Sequence, residues 1–80
     1  MQTIFVFVKC ELGKTYEVAA QAVDTLEAVS EVYSISGQYE LLMKCYVPKN
    51  EDIGHFVTGQ LQMLPHVKDT MTLITFNAFS

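Results

Sequence analysis

The sequence predicts an α+β sandwich in which two helices cover one face of a four-stranded antiparallel sheet, in the order βαββαβ. Three observations predict it. Four runs rich in β-branched and aromatic residues are separated by two stretches whose apolar residues recur every three or four positions. The second and third runs are joined by so short a connection that an antiparallel hairpin is nearly forced. Finally, 80 residues with 50% apolar composition suffice for one domain with one core but not for two. A split βαβ unit made twice is the ferredoxin-like arrangement. Right-handed crossovers then give the spatial strand order four, one, three, two.

The first run, TIFVFVKCE at 3–11, is apolar on both faces, with Ile4, Val6, Val8 and Cys10 on one and Phe5 and Phe7 on the other. A strand of this kind is central and covered twice. Gly13 and Thr15 open the first helix, with Thr15 as N-cap, and Ala19, Ala22, Val23 and Leu26 form its stripe to about Ala28. Residues 29–36 and 39–47 read as the second and third strands. Gly37 fits the first central position of a type II′ turn, where positive φ is required. In the third strand Leu41, Met43, Cys45 and Val47 are the purer hydrophobic set and belong under the helices, which leaves Glu40, Leu42, Lys44 and Tyr46 on the opposite face. Pro48 breaks this strand. Asn50 caps the second helix, and Glu51 and Asp52 in its first turn suit the macrodipole. The stripe of that helix is Ile53, Phe56, Val57, Leu61 and Leu64, and Pro65 stops it. Residues 67–79 form the last strand.

Charge excludes some functions. Five lysines stand against nine acidic residues, for a net charge of −4, and arginine is absent. Nucleic-acid binding depends on cationic contacts to phosphate, with arginine the preferred bidentate donor, so direct DNA binding is not expected. No apolar run approaches the roughly 18 residues of a membrane span. Two cysteines without CxxC spacing, and a start (MQTIFVFVKC) unlike a secretory leader, read as cytoplasmic. A domain this small hides only about 60% of its unfolded surface when alone. Both helices lie on one side, so the opposite sheet face, rich in Phe, Leu and Ile, needs another covering. A second subunit's sheet is the economical one.

The topology gathers Lys9 and Glu11, residues 36–40 and residues 69–72 at one end of the sheet. Glu40 is expected to face the partner subunit, beside Thr70 and Thr72 if the last strand has matching parity. An acid, two hydroxyls and a glycine loop at a subunit seam suit a small zwitterion, with the carboxylate holding an ammonium and loop N–H groups holding a carboxylate. The plainer reading is that Gly37 turns the chain, Glu40 is solvated and the threonines are β formers. His55 and His66 lack partners at ligand spacing, so no metal site is expected. Cys10 and Cys45 lie about 20 Å apart along the sheet at 3.3 Å per residue and should not pair within a subunit. The four tyrosines are scattered over three elements, which favours interface packing over an aromatic cage.

SGQYELLMK, followed by LPHVKDTMTLITF, resembles the effector-binding domain of the Lrp/AsnC, or feast/famine, regulators. The pattern there is Ser or Thr, Gly, any residue, aromatic, Asp, an apolar strand, a helix, Leu-Pro-Gly-Val and Asp-Thr-x-Thr. It matches at Ser36, Gly37, Tyr39, Leu64, Pro65, Val67, Asp69, Thr70 and Thr72 and runs over essentially the whole chain. Glu40 stands where the pattern has Asp, and His66 where it has Gly. The helix-turn-helix of the full regulators is not seen before the domain, so residues 1–80 read as a single, stand-alone ligand-binding (RAM) module. The resemblance implies a dimeric α/β barrel type of sandwich, homodimers assembling into a ring, and an amino acid bound between subunits. Carried over, Ser36, Gly37, Gln38, Tyr39, Glu40, Thr70 and Thr72 bind the ligand: main-chain groups of 37–39 meet it, Glu40 takes its amino group and the threonines line the pocket.

The expected function is a non-catalytic amino-acid sensor, without catalytic residues or cofactor, acting through oligomerisation or a full-length Lrp/AsnC regulator as partner. A purely structural oligomerisation module is the alternative. A small dimeric-barrel enzyme is a further one, with Glu40, Lys44 and His55 the evident acid-base candidates.

Overall fold

The computed structural model describes all 80 residues. Strands β1 (Gln2–Cys10), β2 (Val29–Ser34), β3 (Leu41–Val47) and β4 (Val67–Ile74) form one antiparallel sheet in the order β2-β3-β1-β4. This is the expected order read from the other edge. Helix α1 (Thr15–Thr25) makes the first crossover. Helix α2 (Ile53–Phe56) opens the second and runs on into a π-helical turn, Val57–Leu61.

Strand alternation sorts the sheet into two unlike faces. Ile4, Val6, Val8 and Cys10 of β1 and Leu41, Met43, Cys45 and Val47 of β3 are buried beneath the helices, where they meet Val18, Ala22, Phe56, Val57 and Leu61. The register sets Val6 against Met43 and Ile4 against Cys45. No buried polar side chain lacks a partner. The other face is covered by nothing in this protomer. Phe5, Phe7, Leu42 and Tyr46 line its centre, with Tyr33 at 53% exposure, Met71 at 42% and Leu73 at 48% towards the edges.

Local geometry revises several expected boundaries. Thr15 is the first helical residue of α1 rather than its cap. Lys14 stands at the N-cap without a side-chain bond and pairs instead with Glu17 across the first turn, Nζ to Oε2 at 3.3 Å. The helix ends at Thr25, with Leu26 as C-cap. Val18, Ala22 and Leu26 are spaced four apart and share the inner face, which turns Val23 outward to 63% exposure. The N-cap of α2 is Asp52, not Asn50, and its carboxylate accepts the N–H of His55 at 2.9 Å. That helix closes at Leu61, ahead of Pro65, with the N–H of Gln62 reaching back to the carbonyl of Val57 at 2.8 Å. β4 ends at Ile74 rather than 79. Thr75 still hydrogen-bonds the carbonyl of Thr3 through its hydroxyl at 2.6 Å, but Phe76 and Phe79 beyond it are exposed.

Both cysteines are free and buried. Burial pushes the Cys45 thiol up from an ordinary 9.0 to about 11. Cys10 is also raised, first by burial and then by the Glu40 carboxylate, while a hydrogen bond with Thr15 opposes the shift. For Cys45 the folded state holds its proton to higher pH than the unfolded chain, so this stability is complete below about pH 9 and lost as pH rises towards 11. A steeper loss of thermal stability above pH 9 is expected for the native chain than for Cys45→Ala. Iodoacetamide at pH 8 should label Cys45 only on unfolding, as mass spectrometry would show.

Candidate functional site

β2 and β3 are joined by residues 35–40, closed by the N–H of Ile35 donating to the carbonyl of Glu40 at 3.0 Å. The expected two-residue turn is therefore a longer loop. Gly37 does take a positive φ, +112°, which L side chains rarely adopt. The backbone N–H groups of residues 36–39 donate to nothing within the protomer. Ser36 and Gln38 are exposed, whereas Tyr39 folds onto the helix-free face with its ring 5.8 Å from that of Phe7.

Glu40 closes the ladder where β3 gives out. Its own N–H donates to the carbonyl of Val8 at 3.0 Å, and its Oε1 accepts the N–H of Cys10 at 2.6 Å. The side chain thus supplies the acceptor that a further strand residue would have provided. Oε2 lies 3.8 Å from Nζ of Lys9, which also donates to the carbonyl of Gln38 at 2.9 Å.

Thr70 and Thr72 do not join this group. The β1–β4 register sets them opposite Val8 and Val6, and residues directly opposite in an antiparallel pair share a face. Both therefore lie on the helix side, where Thr70 Oγ1 accepts from Gln62 Nε2 at 2.7 Å. The matching parity assumed for Glu40 and the threonines is absent. The β4 residues on the helix-free face are Asp69, opposite Lys9, then Met71 and Leu73. Lys9 and Asp69, which the topology gathers at this end, are thus the β1 and β4 residues that share a face with Glu40.

The same end holds a second feature. His66 has φ +71°, a conformation suited to the glycine of the family pattern. A non-glycine residue there costs on the order of 1 kcal/mol. Its carbonyl accepts the N–H of Glu11 at 2.9 Å and its Nδ1 lies 3.0 Å from Glu11 Oε1. The enzyme candidates are not brought together. Lys44 pairs with Glu31 at 3.7 Å in mid-sheet and stands over the Tyr46 ring, while His55 is exposed at the start of α2.

A cavity of about 520 Å³ opens at the opposite end of the sheet, among Glu27, Ser30, Tyr46, Glu51 and Phe56. A second of about 390 Å³ lies between α1 and the loop of Pro65 and His66. None of the seven expected ligand residues lines either one. No cluster of three or more His, Cys, Asp or Glu side chains is placed to hold a metal, and no helix is long and apolar enough to cross a membrane.

The βαββαβ order on one antiparallel sheet makes this a ferredoxin-like α+β domain. The family model described as the Lrp/AsnC ligand binding domain matches residues 3–80, and the chain belongs to that family. It is 33% identical over 70 residues to the HTH-type transcriptional regulator FL11 of Pyrococcus horikoshii, covering 88% of this chain and 45% of the regulator. The chain spans about half the length of the curated relatives it matches, which are named as transcriptional regulators. The crystal structure of TTHA0845 from Thermus thermophilus superposes with a TM-score of 0.86 at 30% identity, covering 100% of this chain and 99% of that one. The regulator NMB0573 of Neisseria meningitidis, solved as a complex with L-Met, shares the fold with a TM-score of 0.84 at 18% identity, over 99% of this chain and 52% of that one.

Proposed function

We propose that residues 1–80 are a single non-catalytic sensing domain that binds an amino acid or similar small zwitterion where subunits join, beside loop 36–40. The observation that carries this reading is the Glu40 carboxylate. It is oriented by the Cys10 amide, keeps Oε2 free of backbone partners, and stands next to loop N–H groups that have no partner in the protomer. A carboxylate fixed in this way meets an ammonium without further ordering, and neighbouring N–H groups suit a carboxylate. Glu40 thus takes the ligand's amino group, while Ser36, Gly37, Gln38 and Tyr39 contribute chiefly main-chain groups. Thr70 and Thr72, on the outer strand, reach the pocket from the side of a neighbouring subunit at that edge. The L-Met complex of the Neisseria regulator supports the ligand class.

The apolar helix-free face is covered by a second copy, and homodimers assemble further into a ring. The signal passes through that assembly or through a full-length regulator of the family in the cytoplasm, with no direct DNA contact by this domain. Neither of the two main cavities of the protomer lies at the loop, which favours, as second reading, a structural assembly module. Calorimetry of the purified oligomer against the twenty amino acids separates the two. Binding of at least one is expected, weakened by about ten-fold or more in Glu40→Gln. The amide retains an acceptor for Cys10, so the fold is kept. No binding by any amino acid leaves only the structural module.

A further inference from the structure

We infer that Lys9 is the specificity residue of this site: its ammonium holds the ligand's carboxylate, so that Lys9 and Glu40 together select a zwitterion over an amine. The inference rests on the proposed function and adds to it a residue outside the ligand set that the sequence suggested. Three observations converge on Lys9. Its Nζ lies 3.8 Å from Glu40 Oε2, longer than a hydrogen-bonded ion pair, so the two charges face each other without closing. Glu40 cannot follow Lys9 freely, because its other oxygen is held by the Cys10 amide at 2.6 Å. The Lys9 side chain is 42% exposed, and its bond to the carbonyl of Gln38 fixes the ammonium against the loop.

No other lysine serves this end of the helix-free face. The sequence has no arginine and five lysines. Lys14 is paired with Glu17 on α1, and Lys44 is paired with Glu31 in mid-sheet. Lys68 falls on the opposite parity of β4 from Asp69, and Lys49 follows β3 at the far end. On the same face Asp69 stands opposite Lys9, but its Oδ1 accepts the N–H of Thr70 at 2.9 Å. Lys9 is thus set between two acids, each with one oxygen held by a backbone N–H, and Glu40 is the one whose other oxygen comes within 3.8 Å of the ammonium. An α-amino acid laid across the Lys9–Glu40 gap places each of its charges on the opposite one. A bare amine leaves Lys9 repelling it, and a bare acid leaves Glu40 doing the same.

The test titrates wild type, Lys9→Met and Lys9→Arg with the twenty L-amino acids and with their carboxamides, which keep the ammonium and lose the anion. For the amino acid that binds wild type best, its carboxamide is expected to bind about ten-fold more weakly. In Lys9→Met the amino acid should weaken by a similar factor, with its advantage over the carboxamide gone, while Lys9→Arg retains both. A variant that merely loosened the loop would weaken both ligands alike and keep their ratio, which overturns the inference. Tighter binding in Lys9→Met also overturns it, since Lys9 would then be a competitor for Glu40. In either case the sensor reading stands. If neither form of any amino acid binds wild type, the sensor reading falls and this inference with it. Circular dichroism melts of the three proteins confirm that each is folded.

Discussion

Replacing Phe7 with glutamate is expected to leave the purified chain monomeric. Phe7 sits at the middle of the helix-free face, opposite Leu42 on β3 and Met71 on β4, with the Tyr39 ring against it. In the proposed dimer the face is covered, and a carboxylate there must be buried without a partner. Such burial costs several kcal/mol, and each 1.4 kcal/mol is ten-fold in the association constant. In a lone protomer the same carboxylate points into water, so the fold is preserved. Sedimentation velocity at matched concentrations reads the result. Tyr16→Glu, at an 80% exposed position on α1, is the control and should sediment like the native protein. A native chain already monomeric, or a Phe7→Glu variant of unchanged mass, removes the case for the covered face.

The second large effect is on stability. Phe56 is 1% exposed and is the largest side chain fully enclosed between α2 and the sheet. Truncation to alanine at such a site costs roughly 3–5 kcal/mol. In a domain of this size 1 kcal/mol moves the melting temperature by about 4–8 °C, so Phe56→Ala should melt about 15 °C or more below the native chain. Phe76→Ala, at a 93% exposed position, should stay within about 0.5 kcal/mol of it. Melts belong at one fixed protein concentration, because association itself adds to apparent stability.

The alternation of β1 and β3 was legible because a strand's side chains repeat every two residues, and both strands carry one uniformly apolar set. The hairpin's limits were not. Ile35, Tyr39 and Glu40 continue the β-rich pattern, yet the positive φ of Gly37 and the closure of Ile35 onto Glu40 take them out of the ladder. The parity of β4 was hidden for another reason. In TMTLI both alternating sets suit a strand, and only the pairing of Thr70 and Thr72 with Val8 and Val6 decides between them. The π turn left no trace either, since burial at Val57, Leu61 and Leu64 suits an α-helix equally well. Of the candidate site, its place in the fold and the glycine were readable. The Lys9–Gln38 bond, spanning 29 positions, and the His66–Glu11 pair, spanning 55, were not, because neither follows from spacing along the chain.

Consecutive amides at the end of β1 point to opposite sides. The N–H of Cys10 goes to Glu40, at the end of loop 36–40, and the N–H of Glu11 goes to the carbonyl of His66, just before the outer strand. One short piece of main chain is therefore the common fulcrum of two loops far apart in the chain. The two loops are thereby anchored on neighbouring peptide planes, one of them at the root of β4, an edge strand of the sheet.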